Sequence, residues 1–416
     1  MKVQGFLKLP GDKSLTHRAL LLAALARGQS RLLNPNSGED VLSTVRCLQA
    51  CGVSITRSNE DFLVEGGTLQ NPAEYLDCGN SGTTARLLAG FLCGQRLDAV
   101  LVGDSSLSAR PMYRVVSPLK LMGGSLRANE KKLPIKIASG PLKGIFYNLP
   151  VPSAQVKSSI LFAGLGAEGE TTVEDSFHTR DHTERMFQAL DLPIKIWNQQ
   201  VSVRGLGDAV DSFEYDLPGD FSTAAFFIAL ATIIPGSDLV LQDILLNETR
   251  LGFVDVLKLM GANIQILTEK QVLNELRGDI RVQGVDELHG FSIFAPEMVR
   301  LIDEIPLLAL LGALAHGESR ISGAKELRHK ESDRLRSMAH NLKVLGANVA
   351  EKEDGLIIHG PTKLKSGLVS SFHDHRIAMT MLVAKIAMNQ DIELDNPSCV
   401  QISCPEFISL IKSLSH

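Results

Sequence analysis

Six times along the chain a short polar, often cationic motif runs straight into an apolar stretch rich in small residues. The stretches include Ala19 to Ala26, Leu87 to Cys93, Ile160 to Leu165, Ala224 to Ile234, Pro306 to Ala315 and Ile377 to Met388. Each predicts a helix. The polar openings are Gly11-Asp12-Lys13-Ser14, Gly79-Asn80-Ser81-Gly82-Thr83, Ser153-Ala154-Gln155-Val156-Lys157-Ser158, Gly219-Asp220-Phe221-Ser222, Ile302-Asp303-Glu304 and Phe372-His373-Asp374-His375-Arg376. Their spacing of roughly seventy residues predicts one supersecondary unit repeated along the chain.

A second pattern interleaves with the first. Cys47 to Ile55, Leu119 to Leu126, Leu257 to Ile264 and Leu342 to Val349 each read as the end of an amphipathic helix, a glycine C-cap and the start of a strand. A weaker copy runs from Phe187 to Ile194, with Asp191 in the glycine's place. Alternating stretches such as Gly355 to His359 follow as strands. The unit is therefore strand, apolar helix, strand, amphipathic helix, strand, strand. The sixth copy stops after a last helix near Pro405 to Leu414, and the strand at Lys2 to Leu9 is the candidate to complete it. Three units per domain gives domains at 12–219 and at 1–11 plus 220–416. A chain of 416 residues exceeds one ordinary core, which agrees with two domains.

Charge sharpens the picture. A helix N-terminus is partially positive and favours acidic side chains. Here Lys13, Arg18, Arg86, Lys157 and Arg376 lie in or near first turns. Cations there are unfavourable unless an anion offsets them, and the free backbone N–H groups are anion receptors themselves. The pattern points to ligands carrying several negative charges. The net charge of −5 argues against a nucleic-acid partner, so these cations are local placements. The apolar runs are too short to span a bilayer, and the N-terminus lacks a signal-peptide pattern. Six cysteines without a CxxC pair suggest reduced structural thiols and a cytoplasmic location. His373 and His375 flank Asp374 at a spacing open to a metal, but a helix-cap role fits better, and no metal or cofactor is expected.

Seven motifs, in order and at these spacings, resemble the EPSP synthases of the enolpyruvyl transferase family. They are Gly11-Asp12-Lys13-Ser14 with Arg18, Gly79 to Thr83 with Arg86, Ala109-Arg110-Pro111-Met112, Ser153-Ala154-Gln155, Asp303, Lys330-Glu331-Ser332-Asp333-Arg334 and Asp374-His375-Arg376. The resemblance spans essentially the whole chain. It implies an α/β fold of two domains, each three βαβαββ repeats in an inverse α/β barrel-like arrangement, with helix N-termini facing an inter-domain cleft. It implies transfer of the enolpyruvyl group of phosphoenolpyruvate to the 5-hydroxyl of shikimate 3-phosphate, with release of phosphate. It also implies a monomer.

By resemblance, Lys13 contacts both substrates, and Asp303 and Glu331 are the acid–base pair, Asp303 acting at the 5-hydroxyl and Glu331 at the methylene carbon. Ser14, Arg18, Ser153, Ala154, Gln155, Arg180 and Lys330 hold shikimate 3-phosphate, with Lys13 and Asp303 also in contact. Asn80, Gly82, Thr83, Arg110, Gln155, Glu331, Arg334, His375 and Arg376 face phosphoenolpyruvate. Arg86 reads equally as a structural helix arginine. Glu304 reads as support for its helix.

Two positions depart from many family members. Ile402 stands where they have a lysine that touches phosphoenolpyruvate, and Leu87 follows Arg86 where the best-known subgroup has proline. Gly82 suggests a site open to glyphosate, while Leu87 and Ile402 place the chain in the other subgroup.

Three other functions fit the sequence less well. The sister enolpyruvyl transferase acting on UDP-N-acetylglucosamine usually has a reactive cysteine where this chain has Ser105. A P-loop needs glycine before Lys13, and Asp12 stands there. A non-catalytic anion-binding repeat protein leaves Asp303 and Glu331 unexplained.

Overall fold

A computed structural model describes residues 2–207 and 210–414. The chain forms two compact units, one of residues 1–10, 218–271 and 276–416, the other of residues 11–217 and 272–275. The second unit holds three sheets that share one strand order. In its middle repeat, Leu76–Asp77 runs parallel to Ala99–Val102, which pairs antiparallel with Lys132–Ala138, itself antiparallel to Ser125–Asn129. The order Phe146–Asn148, Glu170–Glu174, Gln200–Arg204, Ile194–Trp197 repeats that pattern.

The first unit uses the same order in Ser292–Ile293, Gly317–Ile321, Gly355–Gly360 and Asn348–Lys352. Its last repeat is shortened to Gly367–Val369 parallel to Ile392–Leu394. Because each opening strand lies parallel to the one beyond its helix, the apolar helix must return the chain across the sheet.

The N-terminal strand corrects the expectation that it completes the sixth repeat. Gln4–Lys8 runs parallel to Asp238–Leu245 and so opens the fourth. The reason is an exchange at the chain crossings. The segments Val210–Asp211 and Glu214–Asp216, which precede the fourth apolar helix, pair instead with Ala26–Leu33 of the first repeat. The fourth repeat is left without an opening strand of its own, and the chain's first strand fills the place.

The six apolar helices are Lys13–Leu25, Gly82–Gly94, Ala154–Gly164, Phe221–Ile233, Ile305–Leu314 and His375–Met388. They are buried on nearly every side, which explains why they lack an amphipathic pattern. Small residues let them touch. A Cβ on Gly90 would lie 1.9 Å from the Ser159 carbonyl oxygen, so only glycine permits that crossing of Gly82–Gly94 against Ala154–Gly164.

The amphipathic helices end as their glycines demand. Gly52, Gly123, Gly261 and Gly346 have φ of 91°, 93°, 99° and 90°, and Asp191 takes the equivalent left-handed turn at 53°. Asp is among the few other residues that tolerate this region, which is how the weaker copy keeps the turn.

Candidate active site

The 11–217 unit gathers the first cluster. Asp12 caps the helix Lys13–Leu25 by accepting from the Leu15 N–H at 2.9 Å. Lys13, the first helical residue, donates to Asp40 Oδ2 at 2.7 Å. Asp40 lies in the first turn of Glu39–Ala50, where a carboxylate is favoured, so the lysine is held by a neighbouring helix. Behind it runs a buried hydroxyl chain. Thr84 Oγ1 bonds the Asp40 carbonyl at 3.1 Å, Ser81 Oγ at 2.8 Å and Thr44 Oγ1 at 2.7 Å, and Thr44 meets His17 Nδ1 at 2.7 Å. Burial, then Lys13 and Arg18, hold His17 well below the usual histidine range, so the ring is neutral.

Arg18 is one helical turn beyond Ser14. It is buried, and among the described residues its guanidinium donates to neutral oxygens: Thr183 Oγ1 at 2.7 Å, the Ser14 carbonyl at 2.8 Å and Ser158 Oγ at 2.8 Å. Burial pushes its pKa down to about 10; Glu184 and Asp12 offset this in part, and Arg180 adds to it. A buried cation whose hydrogen bonds, among the described residues, go to neutral oxygens is stabilised by an arriving anion.

The second and third motifs meet because Gly90 allows their helices to touch. Ser81 and Ser153 cap the two helices. Arg86 Nη1 donates to Gln155 Oε1 at 2.7 Å, and Gln155 Nε2 donates to Thr83 Oγ1 at 2.9 Å. Arg86 therefore fixes the Gln155 side chain, a role the sequence left open. Arg110 Nη2 reaches Asn80 Oδ1 at 2.7 Å and Ser106 Oγ at 3.2 Å, while Asn80 donates to Asp104 at 2.6 Å. A Cβ on Gly82 would lie 2.7 Å from Arg86 Nη1 and 3.4 Å from Arg110 Nη1. Gly82 is thus the gap into which two guanidinium groups point. Ala154 opens its helix beside Ser153.

Lys157 does not join this set. The sequence pattern placed it among the opening cations, but its side chain is buried and turned inward onto Asp175 at 2.8 Å and Glu184 at 2.5 Å. Burial opposes its charge, but the two carboxylates outweigh that and raise its pKa.

The second cluster lies in the unit of residues 1–10, 218–271 and 276–416. Asp374 caps His375–Met388, accepting from the Arg376 N–H at 2.9 Å. It also receives Arg334 through Nε at 2.8 Å and Nη2 at 3.2 Å. Arg334 is 2% exposed and continues to Glu331 Oε2 at 2.6 Å and Asp303 Oδ1 at 3.5 Å. Despite burial, these three carboxylates raise its pKa above the ordinary value. Asp303, in the turn Ile302–Glu304, faces Lys330 Nζ at 3.3 Å and Arg376 Nη2 at 3.9 Å.

Glu304 is buried, accepts from Ser222 Oγ at 2.6 Å and lies 3.5 Å from Arg376 Nη1, so it braces the helix start. His375 is buried at the first position of its helix. Ile402 ends the turn Pro397–Ile402 and brings no charge.

Sequence reasoning did not single out Asp40, Ser158 or Thr183 as partners of Lys13 and Arg18. Asp40 had a signal as an acidic first-turn residue after Gly38; the two hydroxyls had none, because their pairing with Arg18 spans 140 and 165 residues. Among the described residues no group of three or more His, Cys, Asp or Glu could hold a metal ion, and no helix is long and apolar enough to cross a membrane.

A family model for EPSP synthase (3-phosphoshikimate 1-carboxyvinyltransferase) matches residues 1–411. The 3-phosphoshikimate 1-carboxyvinyltransferase of Thermodesulfovibrio yellowstonii is 43% identical over 418 residues, covering 99% of this chain and 97% of that protein. The Aquifex aeolicus enzyme of the same name is 43% identical, covering 98% and 96%. Among solved structures, an EPSP synthase from Acinetobacter baumannii superposes with a TM-score of 0.87 at 39% identity, over 100% of this chain and 96% of its own. An enolpyruvyl transferase from Streptomyces tendae, 18% identical, shares the fold with a TM-score of 0.82 over 99% and 95%. With its motifs in two ordered clusters and its whole length matched, the chain belongs to the EPSP synthase family.

Proposed function

We propose a residue-level scheme for the reaction of this transferase, which moves the enolpyruvyl group of phosphoenolpyruvate onto the 5-hydroxyl of shikimate 3-phosphate in the shikimate pathway. Glu331 gives a proton to the methylene carbon of phosphoenolpyruvate while Asp303 takes the proton of the 5-hydroxyl. The hydroxyl oxygen bonds to C2, giving a tetrahedral adduct. The C2–phosphate bond then breaks, phosphate leaves, and loss of a methyl proton restores the double bond. Lys13 offsets negative charge that builds up between the substrates.

Arg18, Ser14, Ser153, Ala154, Gln155, Arg180 and Lys330 hold shikimate 3-phosphate. Arg110, Arg334 and Arg376 take the carboxylate and phosphate of phosphoenolpyruvate, for which a planar guanidinium is suited. Asn80, Gly82, Thr83, Gln155 and His375 complete that side. The protein acts as a cytoplasmic monomer; its six buried free cysteines fit a reducing compartment.

One observation carries the scheme. Asp303 and Glu331 are two carboxylates brought together around one buried arginine, with Lys330 and Arg376 beside Asp303. A reaction that both gives and takes a proton calls for two such carboxyl groups at one site. The sister activity on UDP-N-acetylglucosamine is disfavoured by Ser105. The test is phosphate release from phosphoenolpyruvate with each acceptor in turn. Release with shikimate 3-phosphate alone supports the scheme; release with the nucleotide sugar alone overturns it.

A further inference from the structure

Lys157 is the residue whose place in the sequence most misrepresents its work. It follows the Ser153-Ala154-Gln155 opening, where a cation invites an anion, yet it is 3% exposed and spent on two buried carboxylates. The next residue, Ser158, faces the next helix in the same way. Lys157 pairs with Glu184 at 2.5 Å, and Ser158 meets Thr183 at 2.7 Å. Two consecutive residues of Ala154–Gly164 therefore engage two consecutive residues of His182–Ala189. The hydroxyls of the second pair are the ones that receive Arg18, through Nη2 and Nε.

Asp175 extends the arrangement. One of its oxygens takes Lys157 and also accepts from the Thr179 N–H at 3.0 Å and Thr179 Oγ1 at 2.7 Å, and the other accepts from the Phe177 N–H at 3.1 Å. Lys157 Nζ itself donates to the Thr179 carbonyl at 3.2 Å. The loop so gathered leads directly into Arg180. One ammonium thus holds the loop before Arg180 and the helix bearing Thr183.

A buried ion pair is a poor source of stability, since desolvation consumes most of its attraction. It is a good source of register, because removing or shifting it leaves a charge unmatched. We infer that Lys157 and Glu184 are positioning residues: their ion pair sets the register of the 175–184 segment against Ala154–Gly164 and so aligns Arg18 and Arg180 for the phosphate of shikimate 3-phosphate. This rests on the assignment of Arg18 and Arg180 to that substrate.

The test uses two variants of the full chain. Glu184→Gln keeps the side chain's shape and leaves Lys157 with Asp175. The double variant Lys157→Met/Glu184→Leu replaces the pair with apolar groups of similar size. Shikimate 3-phosphate binding is measured by calorimetry, KM for each substrate by phosphate release, and folding by thermal melting. The expected result is melting near wild type for Glu184→Gln, shikimate 3-phosphate affinity weakened about tenfold to a hundredfold, and phosphoenolpyruvate KM within about twofold, since misplacement of the order of 1 Å has that scale of effect.

Wild-type shikimate 3-phosphate affinity in folded Glu184→Gln overturns the inference, even where the double variant does not fold. So does an equal loss for both substrates in step with a lower melting temperature. A wild-type protein that neither binds nor turns over shikimate 3-phosphate overturns the functional scheme, and the inference falls with it.

Discussion

Glu331 Oε2 lies 2.6 Å from Arg334 Nη2, and that same guanidinium is anchored to Asp374 through Nε and Nη2. The carboxylate is therefore held by an arginine that cannot swing away without leaving the buried Asp374 carboxylate short of its cationic partner. Asp303 comes within 3.5 Å of the same group. The two carboxylates share one rigid cation, so their separation is set by a side chain that is itself buried.

Replacing Glu331 with Gln keeps the shape and removes the proton. Arg334 retains both bonds to Asp374, and the Asp374 cap on the Arg376 N–H is untouched. The expected outcome is a loss of kcat of about a hundredfold or more, the usual range for a general acid. Shikimate 3-phosphate should still bind, as titration calorimetry would report. Turnover near the wild-type rate removes Glu331 from the proton-donor role.

Arg110→Ala takes away the guanidinium held by Asn80 and Ser106. Its partners are polar groups open to alternative bonding, so folding should change little. KM for phosphoenolpyruvate should rise by about tenfold or more, the scale of one charge-assisted hydrogen bond, with that for shikimate 3-phosphate changing far less. Steady-state kinetics with each substrate varied in turn decides it: an equal rise in both constants assigns Arg110 a general structural part.

Gly82→Ala isolates the gap between two arginines. The new methyl would meet Arg86 Nη1 at 2.7 Å and Arg110 Nη1 at 3.4 Å, both at the ends of flexible side chains. Gly82 has no left-handed backbone angle, and alanine is the better helix former, so thermal stability should hold or rise slightly. The displaced guanidinium groups should raise the phosphoenolpyruvate KM about tenfold, about 1.4 kcal/mol, with no fall in melting temperature. A variant with wild-type KM shows that the gap is not needed.

What was legible in the sequence was local. The six helix openings, the glycine turns after the amphipathic helices and the substitution of Asp191 for one of them each depend on neighbours within a few residues, and each is present. What was not legible depends on distant partners. Nothing near Gln4–Lys8 says that it lies beside Asp238–Leu245, because that pairing follows from a strand exchanged 200 residues further on. Lys157 looked like its fellow cations because its neighbours are the same. Only Asp175 and Glu184, supplied by a later loop and helix, turn it inward. Arg334 was legible as a cation and as a local salt-bridge partner of Glu331, but not as the partner of Asp303 and Asp374, which come from two other segments.

His17 is buried beside Lys13 and Arg18, and burial with those two cations holds its pKa well below the ordinary value near 6.5, against a smaller opposing effect of Asp12. Its Nδ1 bonds Thr44, so the neutral ring belongs to the hydroxyl chain that supports Ser81 and Asp40. In the unfolded chain the ring takes up a proton as pH falls below about 6.5, while in the folded protein it does not until much lower pH. The unfolded state then binds more protons, so stability falls as pH drops through that window, by up to about 1.4 kcal/mol per pH unit from this group alone. Above 6.5 the contribution is constant and fully present. Replacing His17 with Asn removes the titration while leaving a polar group near Thr44. Urea unfolding followed by circular dichroism, run from pH 7.5 down to 5, should give a shallower loss of stability for His17→Asn than for wild type, although the variant is less stable at pH 7.5. Parallel curves would mean that His17 titrates alike in both states, and that the buried ring is not held neutral by its surroundings.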